Sequence, residues 1–140
     1  MPTLNACLSL ETQLDAEPLL ETFLQIEREL GRQRKSDMGY QSRSLDLDLL
    51  YYGSEVFRSK TLTLPHPSLQ NRRFVLKPLA DIAPQFYHPL LKKDHRNLLQ
   101  ECRDETRVER TPLRLAANRQ AFFSELGFVA IEGNIGGGKT

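Results

Sequence analysis

Apolar and polar positions alternate loosely over Leu4 to Leu10 (LNACLSL), a pattern that predicts a β-strand. After a polar break, Leu19, Leu20, Phe23, Leu24, Ile26 and Leu30 recur at helical spacing, with Glu21, Thr22, Gln25, Arg28 and Glu29 opposite. This predicts a helix beginning near Ala16, capped by Asp15, with Pro18 in its first turn and Gly31 ending it. The polar, basic run Gly31 to Ser44 then predicts a loop. Leu45 to Tyr52 (LDLDLLYY) predicts a strand that stops at Gly53, with Val56 and Phe57 as a short hairpin partner for it. Thr61 to Leu64 is extended and enters Pro65-His66-Pro67, where two prolines exclude a central strand. Asn71 to Leu79 predicts a short helix or turn and then an extended stretch, and Asp94 to Cys102 a short capped helix. From Arg103 to about Arg119 the chain is charged with no sustained apolar period, the pattern of a linker. Phe128 to Ile131 (FVAI) is a buried-type strand leading directly into GNIGGGKT. The expected organisation is a domain over residues 1–102, a linker over 103–126 and the start of a second domain over 127–140.

Composition narrows the classes. Nineteen Lys and Arg against 18 Asp and Glu give a net charge of +1 over 140 residues, which argues against a nucleic-acid binder held by a basic surface. No apolar run approaches a membrane span, and two cysteines, Cys7 and Cys102, make neither a disulfide framework nor a zinc quartet. The chain reads as soluble and cytoplasmic.

Three constellations carry chemistry. Gly133, four residues, then Gly138-Lys139-Thr140 fits the P-loop pattern after a predicted strand. Its glycines would turn backbone N–H groups toward a phosphate, Lys139 would bridge phosphate oxygens and Thr140 would hold Mg²⁺. Asp46 and Asp48 stand two apart on a strand, on one side, with Cβ atoms about 7 Å apart. Such a pair either faces solvent from an edge strand or holds one or two Mg²⁺ ions that also bind phosphate. Arg32, Arg34 and Arg43 flank that strand, with Arg72 and Arg73 further on. They form either a solvated charged loop or a set of guanidinium groups for phosphate oxygens. Glu27 falls inside the apolar arc of its helix, where a carboxylate is costly unless paired. It pairs with a loop arginine or reads polar groups of a ligand. His66, fixed between two prolines, is either structural or a nucleotide contact.

Read in order, LNACLSLET (Leu4 to Thr12), QIERELGRQR (Gln25 to Arg34), SRSLDLDLLYYG (Ser42 to Gly53), LTLPHPSLQNRRFVLKPLADIAP (Leu62 to Pro84) and HPLL (His88 to Leu91) resemble 6-hydroxymethyl-7,8-dihydropterin pyrophosphokinase. Members of that family move a diphosphate from ATP to a pterin alcohol in folate biosynthesis and release AMP. The resemblance implies an α+β, ferredoxin-like fold, with ATP and the pterin as partners and two Mg²⁺ ions. It implies that Asp46 and Asp48 bind the metals, and that Arg32, Arg34 and Arg43 act on the phosphates during catalysis. Glu27, Thr63, His66 and Arg72 would line the ATP site. Asn5 would bind the pterin edge, and Phe74 would stack on its ring.

Two departures stand out. The family carries an aromatic-Gly-Pro-Arg segment before the acidic strand, where this chain reads Met38-Gly39-Tyr40-Gln41-Ser42-Arg43. The family's opening strand, helix and second strand also precede the matched segments, so the ferredoxin-like domain is expected to be incomplete. FVAIEGNIGGGKT (Phe128 to Thr140) is similar to the opening of deoxynucleoside kinases. The joint expectation is a slice of a bifunctional protein in which the pterin enzyme is covalently fused to a kinase domain cut at its P-loop. The alternative is an inactive fragment or a non-catalytic nucleotide-binding remnant. A ferredoxin-like RNA-binding module is disfavoured by the neutral charge and the lack of an aromatic RNP-type pattern.

Overall fold

The computed structural model describes residues 4–38, 45–111 and 127–133. Strand β1 (Leu4–Leu10), helix α1 (Ala16–Met38) and strand β2 (Leu45–Tyr52) come first, followed by the two-residue strands β3 (Phe57–Arg58) and β4 (Thr63–Leu64). A 3₁₀ turn at Leu69–Asn71, helix α2 (Arg73–Ile82), helix α3 (His95–Glu101) and strand β5 (Gly127–Gly133) complete the order. No helix among the described residues is long and apolar enough to cross a membrane.

The main sheet has the order β1-β5-β2, with β5 antiparallel to both neighbours. Strands β1 and β2 are therefore parallel to each other, joined through α1, and separated by the width of one strand. That is the split β-α-β arrangement, in which a helical crossover leaves a slot that an antiparallel strand fills. The segment preceding the P-loop motif occupies this slot.

Helix α1 buries Ala16, Leu19 and Phe23 and half-buries Leu20 and Glu27, set at the three- and four-residue steps of one helix face. Ala16, Leu19 and Phe23 pack with Leu49, Leu62 and Leu64, and with Leu8, Leu10 and Leu47 from the sheet. Leu24, Ile26 and Leu30, expected on the same arc, instead remain 37–40% exposed. The helix also passes through Gly31 rather than ending there. A glycine inside a helix costs only about 1 kcal/mol, and the Arg-Gln-Arg-Lys run after it favours helix. Arg32 and Arg34 consequently stand on α1 and not in a loop.

The other sheet face carries a second core of Leu50, Tyr51, Leu69, Val75, Leu76, Leu79 and Leu98. A bulge between Leu49 and Tyr51 lets both Leu50 and Tyr51 enter this core. Asn71 to Leu79 does not divide into a turn and an extended stretch. Helix α2 runs through Pro78, and its apolar residues Val75, Leu76 and Leu79 all reach the core. Strand β3 pairs with β4 and not with β2, which already has β5 on one edge. Helix α3 starts as expected, with the Asp94 carboxylate accepting the Asn97 N–H at 2.8 Å.

Candidate active site

Strand β2 carries its two acids to one end of the sheet. Asp46 stands opposite Glu132 of β5, which in turn stands opposite Asn5 of β1, so these three register positions share one face. Asn5 and Asp46 are thus two strands, about 10 Å, apart. The next row on this face is Cys7, Ala130 and Asp48. The Cys7 thiol reaches the Val75 carbonyl of α2, and burial pushes it up to about 12. The acids therefore lie on the side of the sheet that α2 covers. Asn5 Oδ1 is buried and has no hydrogen-bond partner among the described residues.

The chain reaches this end a second time through Pro65-His66-Pro67. The Leu64–Pro65 peptide is cis, and the His66 N–H donates to the Leu50 carbonyl at 2.9 Å, which ties the turn to β2. Nδ1 of His66 accepts the Ser68 N–H at 3.2 Å. Burial holds the His66 imidazole below its ordinary pKa, Asp48 pulls it the other way, and Arg72 adds to the lowering. His66 thus feels both the acid on β2 and the guanidinium at the head of α2. Arg72 lies over the Phe74 ring, 5.9 Å from its centroid, a cation–π pair at the start of that helix.

Glu27 approaches from α1. Its Oε2 accepts the Leu47 N–H at 2.5 Å, between the two aspartates in sequence. Burial raises its pKa, the Leu47 bond opposes this, and the Asp46 and Asp48 charges raise it further. Among the described residues its partner is a strand backbone.

The structure therefore brings Glu27, Asp46, Asp48, His66, Arg72 and Phe74 to one end of the molecule, with Asn5 in the Asp46 row. Thr63 lies on β4, two residues before the cis proline. Gly133 is the last residue of β5, opposite Leu4 and Leu45. Arg43, Gly138, Lys139 and Thr140 lie outside the described residues. Sequence reasoning missed Asp104, whose Oδ2 accepts the Arg73 N–H at 3.0 Å and so supports the helix start that carries Arg72 and Phe74. No local pattern could have shown a cap 31 residues away.

The chain is 45% identical over 86 residues to a 2-amino-4-hydroxy-6-hydroxymethyldihydropteridine pyrophosphokinase of Synechocystis, covering 61% of this chain and 43% of that protein. It is 39% identical over 90 residues to the Aquifex aeolicus protein of the same description, covering 64% and 55%. A folic acid synthesis protein of Pneumocystis carinii is 43% identical over 86 residues, 61% of this chain and 11% of that protein. The chain spans about half the length of the bacterial relatives it matches. The family model for 7,8-dihydro-6-hydroxymethylpterin-pyrophosphokinase matches residues 2–84, from the Asn5 strand through the Phe74 helix, and the chain belongs to that family.

Proposed function

We propose that this chain carries the nucleotide and metal side of a pyrophosphokinase that moves the diphosphate of ATP to 6-hydroxymethyl-7,8-dihydropterin and releases AMP. The observation that carries the reading is the convergence of Asp48, His66 and Arg72 into one electrostatic unit beside Asp46 and Phe74. Membership of the family supplies the reaction class.

Asp46 and Asp48 suit Mg²⁺ by the chemistry of their donors, hard carboxylate oxygens that share one strand face. The mutual repulsion that Glu27 registers from both acids is what a bound cation would relieve. No group of three or more His, Cys, Asp or Glu ligands occurs among the described residues, so two such ions would complete their shells with phosphate oxygens and water. Bound there, Mg²⁺ would neutralise triphosphate charge and polarise the phosphorus under attack.

The remaining roles belong to the chain's own residues. Arg72 presents a planar fork of donors to phosphate oxygens, and Glu27, Thr63 and His66 border the nucleotide. Phe74 offers a ring face for the pterin. Asn5 Oδ1, a buried acceptor without a donor among the described residues, fits a hydrogen-bond donor on the pterin edge. Arg32, Arg34 and Arg43 supply charge to the phosphates as they shift. The pterin hydroxyl itself attacks, so positioning and charge neutralisation do the work without a protein nucleophile. The split β-α-β sheet supports the ferredoxin-like label. We also read Gly133 to Thr140 as the P-loop of a covalently joined deoxynucleoside kinase domain, on its sequence pattern; that reading gives the strand before it to the second domain, whereas here Gly127–Gly133 completes the main sheet.

The test is release of AMP from ATP by the full natural protein. It is expected only when the pterin alcohol is present, with Asp46→Asn and Asp48→Asn each abolishing it. AMP release independent of the pterin, or full turnover in either variant, would refute the assignment.

A further inference from the structure

Glu27 is a half-buried charged residue on the apolar stripe of α1, and among the described residues its carboxylate bonds to backbone rather than to a side chain. It accepts the N–H of Leu47 at 2.5 Å. Strand β2 pairs through the main sheet only with β5, so an N–H that bonds to α1 points away from that ladder. The peptide unit concerned is the one that joins Asp46 to Leu47, and Asp48 follows on the far side of the same residue. Anchoring it fixes the backbone between the two acids on the edge of β2 that no other strand among the described residues pairs.

We propose that Glu27 is a positioning residue that sets the spacing and direction of Asp46 and Asp48 for divalent cations by clamping the Leu47 amide. This rests on the reading of Asp46 and Asp48 as the metal-binding pair. Glu27 borders the nucleotide site but acts through β2, not by touching the nucleotide. The required chemistry is an acceptor at the right reach. The negative charge is secondary, since glutamine keeps the acceptor and loses the charge, whereas aspartate keeps the charge and loses the reach.

Four forms of the full chain decide the matter: the natural sequence, Glu27→Gln, Glu27→Asp and Glu27→Ala. Each is measured for Mn²⁺ binding in the presence of an ATP analogue, for analogue binding in EDTA, and for hydrogen exchange of the Leu47 amide. Glu27→Gln is expected to stay within about threefold of the natural chain in all three. Glu27→Asp and Glu27→Ala are expected to bind Mn²⁺ about tenfold more weakly and to exchange the Leu47 amide about tenfold faster, with analogue binding in EDTA weakened by less than about threefold. Exchange at Tyr51, in the same strand, checks that the fold persists; Glu27→Asp carries the test if Glu27→Ala does not fold. A Glu27→Gln chain as weak as Glu27→Ala, an analogue affinity in EDTA that falls with Mn²⁺ affinity, or unaltered Mn²⁺ binding in Glu27→Asp would each overturn the proposal. If the natural chain bound the analogue no better with Mn²⁺ than without it, the metal reading and this proposal would fall together. Failure of the clamp alone is distinct, because Asp46→Asn and Asp48→Asn would still abolish Mn²⁺ dependence.

Discussion

Asp104 Oδ2 accepts the Arg73 N–H at 3.0 Å, so the first turn of α2 is capped from the segment that follows α3. Arg72, the residue at the N-cap position, makes no side-chain bond to the helix. The Thr106 N–H and hydroxyl hold the other Asp104 oxygen at 3.0 and 2.6 Å. Thr106 and the Arg73 N–H together draw the carboxyl down to about 2. Because the folded value is depressed, the contribution to stability is complete above the ordinary value near 3.8 and is lost as pH falls through about 2. Asp104→Ala is expected to lower Tm by a few degrees at neutral pH, speed exchange of the Arg73 amide and flatten the acid limb of the Tm profile. Unchanged exchange at Arg73 would remove Asp104 from the helix start.

His95 presents the opposite situation, a titratable group with no exposure at all. Its Nδ1 lies 2.7 Å from the Ala83 carbonyl, which can only accept, so the proton sits there and Nε2 takes the Tyr51 hydroxyl at 3.0 Å. Burial lowers its pKa and lowers that of His88, whose Nδ1 accepts the N–H groups of Leu90 and Leu91. Both folded values are depressed, so their contribution is full above the ordinary 6.5 and is lost as pH falls through the lowered values. Urea unfolding followed from pH 8 to pH 5 should show stability declining below about 6.5. His95→Ala should cost about 3 kcal/mol at pH 7.5, from the cavity and two stranded polar groups, and flatten the pH dependence. A flat profile in the natural chain would contradict the buried neutral pair.

What the sequence disclosed follows from the range of each interaction. Leu4 to Leu10 and Leu45 to Tyr52 alternate or run apolar between clear stops, and both strands form with those bounds. Asp94 announces α3 because a cap acts over three residues. Glu27 was legible as an acid inside an apolar arc, but its partner was not, since a backbone N–H leaves no trace in composition. The end of α1 was misjudged because Gly31 marks a stop only when the following residues resist helix. The pairing of β5 with β1 and β2 joins residues 75 or more positions apart, and no periodicity reports a partner at that distance.

On the proposed reading, Phe74 serves the pterin and Arg72 the phosphates of ATP. Phe74 presents a ring and packs partly against the larger core, while Arg72 lies over that ring with its charge beside His66. Phe74→Leu keeps the apolar bulk and removes the stacking face. It is expected to weaken pterin binding about fivefold with little change in ATP affinity. Arg72→Ala should weaken ATP binding about tenfold and the pterin much less, because a charge-assisted pair to phosphate is lost. Titration calorimetry on each variant reads both numbers, and equal losses for both ligands in Phe74→Leu would contradict the division.

Strand β5 has ladder partners on both sides, from Leu4↔Gly133 to Leu10↔Gly127 on one and from Leu45↔Gly133 to Tyr52↔Gly127 on the other. Among the described residues the parallel strands β1 and β2 have no pairing with each other and are joined in the sheet through β5. Ala130 sits at its middle, opposite Cys7 and Asp48. A proline there removes a ladder donor and forces its ring into a strand paired on both edges, at a cost of about 3 kcal/mol or more. A small domain has only about 5–15 kcal/mol in total, and the acid row depends on the same ladder for its alignment. Ala130→Pro is therefore expected to broaden or abolish the cooperative melt and, on the proposed metal reading, to weaken Mn²⁺ binding at Asp46 and Asp48. A melt within a degree or two of the natural chain would mean that β1 and β2 are held together by something other than this strand.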